Sequence, residues 1–122
     1  MIDPSGQSSG LEQIAIDLAA AAVEAGAVAR QSLGAGMGMF AYPGEGCLIV
    51  GIGYQRDALK PDTIINVLRR RDQVPDRFAA WLPAQFANGS FYVLRRLPYF
   101  GHGPAHMPSE NDLDNALALL VP

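Results

Sequence analysis

The chain has 122 residues and a net charge of −3, which suits one domain and gives nucleic acid or an anionic membrane no basic field to meet. Hydrophobic residues make up 49% and charged residues 17%, an apolar balance that points to a surface held against a partner or a second copy. The single cysteine, Cys47, has no internal partner for a disulfide, so a reducing, cytoplasmic setting is expected.

Residues 1–9 carry no basic n-region and no apolar run, so they are expected to form a mobile tail rather than a signal peptide. Residues 10–122 are expected to form one α+β domain. Residues 11–33 read as a long helix, with Leu11, Ile14, Leu18, Ala22, Ala25 and Val28 at helical spacing. Ser9 can cap it with Glu12 as capping-box partner, Gly26 weakens it and Gly34 ends it. Its Ala-rich part is interrupted by Asp17 and Glu24, which excludes a membrane span.

A hairpin follows, with strands over 37–42 and 47–54 around the turn Pro43-Gly44-Glu45-Gly46. Leu48, Val50, Ile52 and Tyr54 share one face of its second strand, expected to be core. Gly51 and Gly53 lie on the other face, leaving room for a helix or another backbone. Cys47 reads as a small buried strand residue, and Gly34, Gly36 and Gly38 as a connection from helix to strand. They lack the strand-before, helix-after context of a dinucleotide loop.

Pro61 opens a second helix with Ile64, Ile65 and Leu68 as its apolar stripe, ending near Val74-Pro75. Arg69, Arg70 and Arg71 read as its solvated end. Asn88-Gly89 marks a second hairpin with strands over 80–87 and 90–97. Pro83 makes the first of these an edge strand or the tail of a helix. Ser109 and Asp112 have capping-box spacing for a last helix, with Leu113, Ala116, Leu117 and Leu120 on its apolar face.

Chemistry-bearing motifs are sparse. His102 and His106 are four apart, but Gly103 and Pro104 between them forbid the helix that would align the two rings. A metal-dependent enzyme using His102, His106 and Glu110 is the alternative to a protein without catalysis. Glu110, Asp112 and Asp114 already have a structural reason at a helix N-terminus. No cofactor is expected.

The order is helix, hairpin, helix, hairpin, helix: an α+β fold with one antiparallel sheet and three helices mainly on one side. In that order, in size and in acidity, and most in the stretch from Gly89 to Leu120, the chain resembles the small dimeric type III secretion chaperones of bacteria. The resemblance implies a non-catalytic, cytoplasmic homodimer that binds an N-terminal segment of a secreted effector or translocator in extended form. It implies partner contacts on the sheet and first helix, assigned to Leu18, Phe40, Leu48, Val50, Phe91 and Val93. The dimer contact implied is the second helix and its neighbouring strand, assigned to Ile64, Ile65, Leu68 and Trp81. The family's additional short strand, between first hairpin and second helix, would have to come from residues 55–60. A structural dimeric subunit of a secretion assembly has the same expectations.

Overall fold

The computed structural model describes residues 10–98 and 107–121. The expected tail, residues 1–9, and the segment holding His102 and His106 lie outside the described residues. The fold is α+β. In chain order it runs α1 (Leu11–Ala25), β1 (Ala29–Gly34), β2 (Met37–Gly44), β3 (Cys47–Tyr54), a 3-10 turn (Arg56–Ala58), α2 (Thr63–Gln73), α3 (Pro75–Phe78), β4 (Leu82–Gln85), β5 (Phe91–Pro98) and α4 (Glu110–Leu120). The five strands form one antiparallel sheet in the order β1-β2-β3-β5-β4.

The first helix is shorter than its periodicity suggests. Gly26 adopts φ 64°, a left-handed conformation open to a residue without a Cβ, and the Ala27 N–H reaches back to the Ala22 carbonyl. That Schellman-type turn stops α1 at Ala25. The remainder of the expected helix becomes β1, which pairs with β2 from Ala29 opposite Ala41. The glycines at 34 and 36 therefore join two strands, not a helix and a strand, and Ala35 between them is also left-handed at φ 54°. The first sheet unit is thus a three-stranded meander rather than a hairpin. Residues 55–60 supply no strand; a 3-10 turn occupies that stretch.

Among the described residues, the N-terminus of α1 has no side-chain cap from its N-cap position. Its N-cap is Gly10, and the Glu12 N–H donates to Glu110 Oε1 on the last helix at 2.9 Å. The Ser9 half of the expected Ser9–Glu12 capping box lies outside the described residues. At α4 the expected box is present: the Asp112 N–H donates to Ser109 Oγ at 3.1 Å and the Ser109 N–H to Asp112 Oδ2 at 3.0 Å.

The core forms between one face of the sheet and the helices. Leu48, Val50 and Ile52 of β3 are fully buried with Met39 and Ala41 of β2 and Phe91 and Val93 of β5. Leu11, Ala15, Leu18, Ala19 and Ala22 of α1 join this cluster, and α1 lies chiefly against β2, close because its contact side is mostly alanine. Leu113, Ala116, Leu119 and Leu120 bring in α4; Leu119 takes the place expected of Leu117, which is half-buried. Val67 anchors α2, and Phe78 anchors α3, a short helix that begins where Pro75 was expected only as a stop.

Two of the three consecutive arginines belong to the interior bonding rather than to a solvated end. Arg70 Nη1 donates to the carbonyls of Ala118, Leu119 and Val121, filling acceptors that the end of α4 leaves open. Arg71 donates to the Trp81 and Ala79 carbonyls at 2.9 and 3.1 Å, tying α2 to the start of β4. Among the described residues, no helix is long and apolar enough to cross a membrane.

Candidate functional site

The sheet face opposite the core carries an aromatic groove. Its floor is set by glycines. A Cβ added at Gly51 would come within 2.5 Å of the Phe40 ring and 2.8 Å of Leu94; one at Gly53 would come within 2.7 Å of the Tyr92 ring. A Cβ at Gly38 would sit 3.3 Å from the Tyr92 hydroxyl. The bare glycines of β2 and β3 thus let rings from β2 and β5 lie down on the sheet. Phe40 and Tyr92 meet edge to face with centroids 5.2 Å apart, and Phe86 joins them at 5.7 Å from Tyr92 and 6.1 Å from Phe40.

Phe86 is delivered by the β4–β5 turn. Its carbonyl accepts from the Gly89 N–H and its N–H donates to the Ser90 carbonyl, with Gly89 at φ 90°. Asn88 Oδ1 accepts from both the N–H and the hydroxyl of Ser90, at 3.0 and 2.6 Å, which fixes the turn. Gly89 also leaves space for the stem of Arg56, whose Cδ would lie 2.6 Å from a Cβ there. The resulting concavity, about 760 Å³, is walled by the three rings and by Arg30, Arg56 and Asp57. Ligand pockets commonly span roughly 300–1,000 Å³. Burial pushes the Tyr92 phenol above its ordinary pKa, and the nearby Arg30 charge opposes that rise.

A second polar constellation sits at the start of α4. Asp112 Oδ2 lies 3.4 Å from Arg95 Nη1, and Arg95 in turn stands over the Trp81 ring with Cζ 5.8 Å from its centroid. Trp81 Nε1 donates to the Asp112 carbonyl at 3.1 Å. Burial raises the Asp112 carboxyl, but hydrogen bonds from Ser109 and the charge and hydrogen bond of Arg95 outweigh it, so its pKa lies below the ordinary carboxylate value. The Asp112–Arg95, Arg95–Trp81 and Trp81–Asp112 contacts each join one part of the fold to another, so the constellation is a brace. Glu110 is directed at the N-terminus of α1; whether it meets His102 or His106 lies outside the described residues. Among the described residues, no three His, Cys, Asp or Glu side chains gather as metal ligands would.

The residues assigned to partner binding divide sharply. Leu18, Leu48, Val50, Phe91 and Val93 are core, so no partner reaches them in the folded chain; Phe40 alone of the six faces the groove. Leu48 and Val50 share the face expected to be core, and that face is covered by this chain's own helices. Trp81, assigned to the dimer contact, is also buried, held between Asp112, Arg95 and Arg71. Ile64 packs against the core from α2, whereas Ile65 and Leu68 are 57% and 49% exposed. Arg30, Arg56, Phe86 and Tyr92 were missed as site residues. The glycine face of β3 was the available signal; that rings on β2 and β5 fill it depends on strand register. The chain matches no protein-family model, no curated protein and no solved structure.

Proposed function

We propose that the protein is a non-catalytic, homodimeric, cytoplasmic adaptor of the export-chaperone kind, holding an extended N-terminal segment of a secreted effector or translocator. The observation that carries the reading is the outward apolar ridge of α2, where Ile65 and Leu68 stand exposed on a helix whose other side is already packed. Exposed apolar side chains aligned on one helix favour burial against a second copy. Leu82, 51% exposed at the start of β4, extends the apolar surface at the end of the sheet that Arg71 ties to α2.

The sheet edges support the rest of the reading. β1 and β4 each pair on one side only. Pro83 withholds a donor from β4, while β1 offers six residues without proline as a template for an added strand. A helix, sheet strands, a second helix, a hairpin and a last helix follow one another as expected, but the additional strand expected from residues 55–60 is absent and β1 precedes the first hairpin.

Purification from the native cell, followed by mass spectrometry and limited proteolysis, tests the reading. The expected result is a co-purifying secreted protein with its N-terminal segment protected. Recovery of the chain with no such protein, under conditions where its secreted partners are expressed, would contradict it.

A further inference from the structure

The groove on the outer sheet face has a chemistry that the adaptor reading does not use. Three aromatic rings form its apolar wall, and a ring, unlike a backbone edge, is matched by a flat apolar body. Arg30 and Arg56 stand at its rim, and among the described residues neither lies within 4.0 Å of a carboxylate. Among the described residues Asp57 is the one acidic side chain in the wall, so their charges there sum to a positive value on a chain whose total is −3. Tyr92 lines the same space, with its hydroxyl over Gly38. A phenol is protonated near neutral pH with or without burial, so it can donate. Donors and positive charge at the rim, with rings below, match an anionic head on a flat apolar body.

We propose that this groove binds a small organic anion, its flat apolar body against Phe40, Phe86 and Tyr92 and its carboxylate or sulfonate met by Arg30 and Arg56. The site stands independently of dimer formation and of any protein partner. Arg56 and the Asn88-Gly89 turn stand at one end of it, and the exposed Val28 and Tyr42 lie towards the other.

The test is a fluorescence titration of the full chain at low salt with 8-anilinonaphthalene-1-sulfonate, beside neutral N-phenyl-1-naphthylamine, which has the same rings without the sulfonate. One sulfonate per chain is expected to bind saturably, about tenfold tighter than the neutral probe. The double variant Arg30→Gln/Arg56→Gln should lose about that factor for the sulfonate and little for the neutral probe. Phe40→Leu, which keeps an apolar side chain in place, should weaken both probes, with circular dichroism confirming the fold. No binding, equal affinity for both probes, several probes per chain, or a sulfonate affinity untouched by the arginine changes would each overturn the proposal. So would binding that disappears as the scattering mass doubles, because a second copy would then be the occupant.

Discussion

Gly51 and Gly53 differ in what surrounds them, although both occupy the same face of β3. At Gly53 the atoms in the way of a Cβ include the backbone of Phe91 and Tyr92, which cannot move without disturbing the β3–β5 ladder. At Gly51 they are the ends of the Phe40 and Leu94 side chains, which can tilt. Gly53→Ala is therefore expected to cost about 1–3 kcal/mol or more in urea unfolding, and Gly51→Ala less, with a groove altered in shape. A larger loss at Gly51 would mean that the rings, not the backbone, are the rigid part. Asp112 gives a pH signature. Its folded pKa is depressed, so the stability it contributes is present above the unfolded carboxylate value, about 3.9, and is lost as pH falls through the lower folded value. Asp112→Asn should accordingly be less stable than the parent near neutrality, and the gap should close in acid. A gap constant from pH 7 to pH 2 would contradict the brace.

At the scale of elements, the ends of helices carry the cross-links. Arg70 serves the last carbonyls of α4, and Glu110 serves the first turn of α1. Replacing Arg70 by Met keeps much of the stem and strips the donors; about 1.5–3 kcal/mol is expected to be lost, as for hydrogen bonds to a charged group. Arg69→Met beside it, on the exposed side, should change stability by no more than about 0.5 kcal/mol. The last helix was legible because its signals are local: Ser109 and Asp112 are three apart and make the box without help. The second hairpin was legible from Asn88-Gly89, although its first strand proved shorter and its loop longer. The end of α1 was misread because alanine-rich periodicity continues through Gly26, and only the left-handed turn at that glycine separates helix from strand. β1 was invisible for the same reason; Ala29, Arg30 and Gln31 show no strand alternation of their own and are held by pairing with β2. Arg70 and Arg71 looked solvated because their acceptors lie 48 and 10 residues away along the chain.

For the whole molecule, the division between covered and uncovered apolar surface decides the functional reading. Five of the six residues assigned to partner contact are core: Leu18 on α1, and Leu48, Val50, Phe91 and Val93 on the sheet face that this chain covers with its own helices. Among the described residues, the α2 ridge, the β1 and β4 edges and the aromatic groove remain uncovered. The ridge and the groove make separate demands: one is met by a second copy, the other by a small anion. Ile65 sits on the ridge and outside the core, so changing it tests association without dismantling the fold. The most direct measurement is the mass in solution by size-exclusion chromatography with light scattering, for the parent and for Ile65→Asp at tens of micromolar. The account predicts twice the 13.0 kDa chain mass for the parent, and the single-chain mass with an unchanged circular dichroism spectrum for Ile65→Asp. A parent that stays at 13.0 kDa, or an Ile65→Asp chain that stays dimeric, would contradict it.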